Sequence, residues 1–98
     1  MMRHTKIYME AMGYTETDFI PCEISGNKAV DVHHIIGRGK GGEDRIENLM
    51  AVTRENHVRY GDKKKHMVDL LFIHESKLKL KGVKYDREWF KENYKRYK

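Results

Sequence analysis

The sequence predicts an α+β fold, in which a two-stranded hairpin and one helix are flanked by additional helices. A run rich in β-branched residues at positions 29–36 indicates a strand, and a second apolar run follows at 48–52. Apolar side chains recur at helical spacing on both sides of this pair. The length of 98 residues allows one domain with a small core and excludes enzymes that need a large α/β scaffold.

The segments before and between the strands contain strong turn signals. A helix is predicted over residues 4–12 and should end at Gly13. Residues 18–24 are predicted to be extended and residues 25–27 to form a turn. Four glycines in six positions at 37–42 predict a loop without regular structure.

Three more helices are predicted after the second strand. Thr53 should cap a helix that ends before Gly61, and Asp86 should cap a final helix whose aromatic residues gather on one side. Between them a longer helix is predicted over 62–80. Its apolar stripe comprises Met67, Leu70, Leu71, Ile73, His74 and Leu78.

The charge and the cysteine content indicate which kind of partner the protein binds and in which cellular compartment it acts. The net charge is +5, and residues 77–98 hold nine basic and three acidic residues, a net of +6. Such a segment suggests a polyanion such as nucleic acid, although solvated surfaces are also often basic. One cysteine, no apolar leader and no long apolar run predict a cytoplasmic protein without a membrane partner.

Three of the six histidines have the spacing of a metal-dependent site. His33 and His34 are adjacent on the first predicted strand, so one can bind a metal ion while the other faces a substrate on the opposite side. His57 lies in the first turns of the helix that a hairpin would bring back over this strand. Two imidazoles from separate elements form half of a shell for a divalent ion.

Two carboxylates could contribute to the same ion. Asp31 shares a strand face with His33 and is either a further ligand or an acceptor for an imidazole N–H. Glu55 lies two positions before His57 and either reaches the ion or favours the helix N-terminus electrostatically.

The order of these residues resembles the HNH endonuclease family. The matching segments are Asp31-Val32-His33-His34-Ile35, the glycine-rich loop, Asn48-Leu49 and His57. The family's ββα-metal unit carries His on the first strand, Asn in the loop or at the second strand, and His on the helix. The resemblance implies one HNH nuclease domain over 1–98, with a lead-in at 1–21, a ββα-metal core at 22–61 and a helical, basic extension at 62–98.

The resemblance also implies roles for these residues. His34 would be the general base, and Asn48 would tie down the loop and hold the base in place. His33 and His57 would bind one divalent ion, Mg, Mn, Zn or Ni, with Asp31 and Glu55 as weaker candidates. Many relatives carry two Cys-x-x-Cys pairs for a structural zinc. The corresponding positions here are Cys22, Ser25, Thr53 and Asn56, so no structural zinc is predicted.

The function implied is metal-dependent hydrolysis of DNA, most simply double-stranded DNA cut with low sequence specificity. Free-standing domains of this kind resemble nucleases of phages and prophages that act beside packaging or recombination proteins. A non-catalytic nucleic-acid-binding or assembly module on the same fold and an RNase are the alternatives. The sequence predicts no oligomeric state.

Basic residues on the loop and on the final helix are the candidates for nucleic-acid contact, with simple solvation as the alternative for each. The aromatic residues of the final helix are predicted to pack on the core. No partner is predicted for His4, His66 or His74, of which His74 should be packed and His66 exposed. The candidate cations are Arg38, Lys40, Arg45, Arg87, Lys91, Lys95 and Arg96.

Overall fold

Four α-helices surround one antiparallel pair of strands in the computed structural model, which describes residues 1–98. This arrangement confirms the predicted α+β class, with a ββα unit and flanking helices. No helix is long and apolar enough to cross a membrane. In chain order the elements are α1 (Arg3–Met12), β1 (Asp31–His34), β2 (Leu49–Val52), α2 (Arg54–Tyr60), α3 (Met67–Lys81) and α4 (Arg87–Tyr97).

The two strands pair with His33 opposite Met50 and His34 opposite Leu49. β1 is shorter than predicted because its C-terminal continuation bonds to Asn48 instead of to β2. The backbone N–H of Ile35 donates to the Asn48 carbonyl at 2.9 Å, and the N–H of Ile36 donates to the Asn48 side chain at 2.7 Å. The chain therefore leaves the sheet directly after the two histidines.

The end of α1 and the starts of α2 and α4 are set by single residues, as predicted. Gly13 ends α1 in the left-handed conformation, with φ of 76°. The Thr53 hydroxyl accepts the backbone N–H of Asn56 at the start of α2. The Asp86 carboxylate accepts the N–H groups of Glu88 and Trp89 at the start of α4.

Three sequence-based predictions of local structure are wrong. Residues 18–24 are irregular, with one isolated bridge between Pro21 and Lys28. The glycine-rich loop contains a short 3₁₀ turn at Arg38–Lys40. α3 begins at Met67 rather than near residue 62, because Asp62 has φ of 59° and the next residue is extended, which interrupts helical geometry.

The core lies between the sheet, α1, α3 and α4. Tyr8 of α1, Leu71 and Leu78 of α3, and Phe90 of α4 are completely buried around the apolar strand β2. The other aromatic residues of α4 are partly buried against this core, as predicted. The helices at both ends of the chain therefore belong to the same hydrophobic core as the hairpin.

A buried polar network joins the N-terminal and C-terminal halves. The Tyr8 hydroxyl donates to Glu23 at 2.6 Å, and Nδ1 of His74 lies 2.8 Å from the same carboxylate. Nε2 of His74 lies 2.6 Å from the Ile46 carbonyl. Both ring nitrogens of His74 thus face hydrogen-bond acceptors, and His74 is packed as predicted.

Candidate functional site

β1 presents its two histidines to different helices. The ring of His33 lies against His57 of α2, with 4.6 Å between the ring centroids. The ring of His34 lies against His4 of α1, also with 4.6 Å between centroids. Two clusters result: the His33 cluster (His33, His57 and Asp31) and the His34 cluster (His34, Asp44 and His4).

In the His33 cluster, one carboxylate orients an imidazole. Oδ2 of Asp31 lies 3.1 Å from Nδ1 of His57. Because a carboxylate only accepts, Nδ1 of His57 donates, and its neutral ring keeps a lone pair on Nε2. Of the two roles considered for Asp31, metal ligand or acceptor for an imidazole N–H, this distance therefore supports the second.

Asp31 is held in place by a second partner. Arg54 binds it through two hydrogen bonds, of 2.7 Å and 2.9 Å. These bonds hold the pKa of Asp31 below its ordinary value, and the bond with His57 adds to this effect against the opposing effect of burial. An ionised Asp31 is thus available as an acceptor at neutral pH.

His33 supplies a second lone pair. Its Nε2 is buried and has no hydrogen-bond partner. Burial, and to a smaller extent the neighbouring His57, lower the pKa of His33 to about 4 against the opposing effect of the nearby Asp62. A neutral imidazole without a partner beside a second imidazole matches the donor set that divalent transition metals prefer, so the residues of the His33 cluster fit a metal ion.

Gly61 allows this approach of His33 to His57. A Cβ at position 61 would lie 2.4 Å from the His57 carbonyl oxygen, 2.9 Å from Cδ2 of His57 and 3.1 Å from Cε1 of His33. No side chain fits there without moving the backbone of α2. Glu55, by contrast, is exposed in the first turn of α2 and has no hydrogen bond or ion pair with either imidazole.

In the His34 cluster, Nε2 of His34 lies 2.6 Å from Oδ1 of Asp44. The two side chains are 14% and 15% exposed, so the pair is shielded from bulk solvent yet open at one edge. The hydrogen bond with His34 holds the pKa of Asp44 below its ordinary value, and Arg38 contributes in the same direction. An ionised Asp44 accepts from Nε2–H, which leaves the lone pair of a neutral His34 on Nδ1.

Sequence reasoning missed two members of this cluster. His4, for which no partner was predicted, packs on His34 and is 8% exposed. Burial lowers the pKa of His4, and the proximity of His34 lowers it further. Asp44 lies ten positions after His34, at the end of the glycine-rich segment. Only the folded loop brings it back, so no local sequence pattern marks it.

Asn48 fastens the loop that carries Asp44. Its side chain accepts from the Ile36 N–H and donates to the carbonyls of Ile36 and Glu43, at 2.7, 3.0 and 3.1 Å. Asn48 is fully buried. Both ends of the loop are therefore attached to one side chain, next to the His34 cluster.

The cations predicted to contact nucleic acid differ in whether they already bind carboxylates within the protein. Arg45 donates to Glu47 at 2.9 Å and to Asp86 at 3.3 Å and lies near Glu43, an arrangement that favours a structural role. Lys40 and Arg96 line, together with Arg45, one cavity of about 320 Å³ between the loop and α4. Its lining also includes the acidic residues Glu43, Asp86, Glu88 and Glu92.

The other four predicted cations lie at the surface of the loop or of α4, and three of them have a neighbouring side chain as partner. Arg38 is 60% exposed beside Asp44. Arg87 lies over the Tyr85 ring, and Lys91 pairs with Glu88 at 3.4 Å. Lys95 is exposed and forms no ion pair. Of the predicted cations, Arg38 thus contacts the His34 cluster, and Arg87, Lys91, Lys95 and Arg96 lie on α4.

The four positions that correspond to zinc ligands in relatives form a hydrogen-bonded cluster. The Cys22 thiol donates to Asn56 at 3.3 Å, and the Thr53 hydroxyl donates to the same Asn56 oxygen at 3.0 Å. The backbone N–H of Ser25 donates to the Cys22 sulfur at 3.4 Å. Polar side chains thus connect the turn after Cys22 to the start of α2.

Comparison with known families finds a match in the part of the chain that carries most of these residues. The family model described as HNH endonuclease matches residues 20–63, a segment that contains β1, the loop, β2 and α2. The match includes every residue of both clusters except His4. No curated protein and no solved structure matches the chain significantly.

Proposed function

We propose that this chain, whose residues 20–63 match the HNH endonuclease family, is a metal-dependent endonuclease that hydrolyses DNA phosphodiester bonds. The observation that carries this proposal is that the two adjacent histidines of β1 have different partners and are suited to different roles. One histidine has its lone pair beside a second imidazole, and the next histidine is aligned by a carboxylate. Hydrolysis needs both an activated water and charge stabilisation at the phosphate.

His34 is the general base in this proposal. Asp44 accepts the Nε2–H of His34 and fixes the ring, so the Nδ1 lone pair is available to take a proton from the attacking water. As the water loses its proton, the imidazole becomes positively charged, and the ionised Asp44 stabilises that charge. Asn48 acts indirectly, because it holds the loop that carries Asp44.

His33 and His57 are the residues that would hold a divalent ion, and Asp31 orients His57 through its Nδ1–H. Such an ion, when bound, supplies charge neutralisation at a phosphate oxygen and at the leaving oxygen. The Nε2 atom of His33, buried and without a partner, supports this assignment. The proposed ion is one of Mg, Mn, Zn and Ni.

DNA is the proposed substrate, and Arg38, Lys40 and Arg96 are the proposed phosphate contacts. They are exposed near the His34 cluster or on the adjoining face of α4. Because such contacts read the backbone and not the bases, cleavage would have low sequence specificity.

The cellular setting is also part of the proposal. A single HNH domain over 1–98 is supported by the burial of Tyr8 and Phe90, near opposite ends of the chain, in one core. We infer that it acts in the cytoplasm of a bacterial or phage-infected cell, beside packaging or recombination proteins.

The test is nicking of supercoiled plasmid DNA by the purified chain in Mg²⁺, Mn²⁺, Zn²⁺ or Ni²⁺. We expect nicking with at least one ion and none in EDTA, and the double variant His33→Ala/His57→Ala should be inactive. No nicking with any ion would overturn the proposal in favour of a non-catalytic nucleic-acid-binding module. Cleavage of RNA alone would replace it with an RNase.

The phosphate contacts need point variants, because deletion of residues 77–98 would remove the fully buried Phe90 and part of α3. The double variant Lys40→Ala/Arg96→Ala should weaken DNA binding and reduce its salt dependence. The matched control Lys28→Ala/Lys79→Ala removes two cations outside this surface. Equal losses in both variants would contradict a specific surface.

A further inference from the structure

We propose that the His34 cluster is itself a second metal site, which takes a transition-metal ion of the zinc class and thereby blocks the general base. Its three members come from α1, β1 and the loop and offer two imidazoles and one carboxylate. The blocking effect rests on the proposed function, whereas the binding site does not. The His33 cluster and this site lie on opposite sides of β1.

The geometry of the three side chains carries the proposal. One ligand atom from each of His4, His34 and Asp44 lies within 4.8 Å of the other two. Ligand atoms around a tetrahedral Zn²⁺ are separated by roughly 3.3 Å, given metal–ligand distances of about 2.0–2.1 Å. The 2.6 Å contact between His34 and Asp44 would open by less than an ångström, so side-chain adjustment is sufficient.

An unsatisfied atom points independently to a ligand. Nδ1 of His4 is buried and has no hydrogen-bond partner, in a residue that is only 8% exposed. A buried polar atom without a partner is costly, and a metal ion is one way to satisfy an imidazole nitrogen. Of the buried side-chain nitrogens and oxygens, only His4 Nδ1 and His33 Nε2 have no partner, one in each cluster.

The ligand types determine which ions would bind. Two imidazoles and one carboxylate suit Zn²⁺, Co²⁺ and Ni²⁺, whereas Mg²⁺ prefers oxygen ligands and keeps its waters. Arg38 is the cation nearest to the site and donates to Asp44 at 3.2 Å. Since its side chain is largely exposed, it can move into solvent when an ion takes over the carboxylate.

Coordination would disable His34 whichever nitrogen binds the ion. An ion on Nδ1 occupies the lone pair that would take the proton from water. An ion on Nε2 displaces the proton shared with Asp44, and in a neutral ring that proton moves to Nδ1. In both cases Nδ1 can no longer accept a proton. Whichever ion supports nicking at the His33 cluster, occupation of the His34 cluster would therefore inhibit the chain.

The binding test uses Co²⁺ and the full chain without nucleic acid. Equilibrium dialysis should give two Co²⁺ per wild-type chain and one for His4→Phe, which retains ring packing against His34 but has no ligating nitrogen. Asp44→Asn, on the surface loop, should also lose one ion. His33→Ala/His57→Ala should keep one, and His66→Ala, outside both clusters, should bind two.

An unchanged count in both His4→Phe and Asp44→Asn would overturn the site at the His34 cluster, whereas a single wild-type Co²⁺ that is lost in both variants would place that ion there. Circular dichroism verifies that each variant is folded. If the chain nicks DNA, Zn²⁺ that competes at the His33 cluster affects both proteins alike, so the second site is measured by the difference between them. With whichever ion supports nicking, excess Zn²⁺ should lower the nicking rate at least 5-fold more in the wild type than in His4→Phe. Equal inhibition of both proteins would contradict the blocking effect. Absence of nicking would overturn the proposed function and leave the ion count as the test of the site.

Discussion

The side chain of Asn48 and the backbone of Ile36 exchange two hydrogen bonds, one in each direction. Asn48 accepts the Ile36 N–H at 2.7 Å and donates to the Ile36 carbonyl at 3.0 Å. A third bond reaches the carbonyl of Glu43, the residue before Asp44. One buried carboxamide thereby closes the loop and sets the position of the carboxylate that contacts His34.

Asn48→Ala should destabilise the protein by about 2–4 kcal/mol, because it leaves buried N–H and C=O groups of the loop without partners. Chemical denaturation measures the loss as a change in the free energy of unfolding. Asn27→Ala is the matched control, since that side chain is exposed and forms no hydrogen bond. A loss below about 0.5 kcal/mol in Asn48→Ala would contradict the role of Asn48 in closing the loop.

Asp44→Asn should lower the rate of DNA cleavage roughly 10- to 100-fold, the usual cost of losing a partner that orients a functional imidazole. The amide cannot stabilise a positively charged His34, although its size is unchanged. Single-turnover cleavage in Mg²⁺ measures the effect, and Glu43→Gln, which removes a neighbouring exposed charge, should change the rate less than 3-fold. Equal rates for Asp44→Asn and the wild type would show that Asp44 has no part in the reaction.

The triple variant Ser25→Cys/Thr53→Cys/Asn56→Cys should bind one Zn²⁺ and unfold at a higher temperature with zinc than without it. The hydrogen bonds among Cys22, Thr53 and Asn56 show that these positions already converge, and four thiolates complete a tetrahedral site. Without zinc the variant should be less stable than the wild type by about 1 kcal/mol, since it lacks the Thr53 cap.

The control for this variant adds Cys22→Ser, which leaves three thiols. It should bind zinc more weakly and gain less stability from it. Mass spectrometry under non-denaturing conditions counts the ion, and thermal unfolding with and without a chelator measures its effect. Identical unfolding temperatures with and without zinc would contradict the convergence of the four positions.

Glu47 should make stability depend on pH in the acid range. Burial alone would raise the pKa of Glu47, but the N–H of Asp86, at 2.8 Å, and the guanidinium of Arg45 hold it below its ordinary value. The folded pKa is thus lower than the unfolded value of about 4.3. The stabilisation is present above the unfolded pKa and is lost as pH falls through the folded pKa.

Glu47→Gln should therefore lower the free energy of unfolding at pH 7 by about 1–2 kcal/mol and flatten its dependence on pH below about 5. Urea denaturation at several pH values provides both quantities. Glu16→Gln, at an exposed position without hydrogen bonds, should leave both unchanged. A Glu47→Gln curve parallel to that of the wild type would contradict the contribution of this carboxylate.

The parts of the fold that depend on local chemistry were predictable from the sequence. The end of α1 depends on the backbone freedom of Gly13, and the starts of α2 and α4 depend on the side-chain acceptors of Thr53 and Asp86. Each of these effects acts within a few residues along the chain, so the residue type alone predicts the helix boundary. The start of α3 was not predictable, because Asp62 adopts a left-handed conformation that Asp tolerates but that no neighbouring residue requires.

The candidate site was predictable only in part, for the same reason. His33, His34, Asn48 and His57 lie at spacings that are characteristic of a family, and residues 20–63 match that family. His4 lies outside the matching segment and reaches His34 only because α1 packs on the sheet. Such long-range contacts depend on tertiary packing and have no signature in adjacent residues.

Arg45 has partners in the fold that its charge and position in the sequence do not predict. A cation on a glycine-rich loop predicts phosphate contact, but the folded chain brings Glu47 and Asp86 to its guanidinium. Glu47 and Asp86 are separated in sequence by 39 positions, so their joint use of one cation could not be inferred before the fold was known.

The central claim, that His34 is the general base, is tested most directly by His34→Ala in the plasmid-nicking assay with Mg²⁺ or Mn²⁺. Binding of DNA and of one ion at the His33 cluster should persist in this variant. We expect nicking to fall at least 100-fold, while His66→Ala, outside both clusters, cleaves at the wild-type rate. Cleavage by His34→Ala within a few-fold of the wild-type rate would contradict the claim.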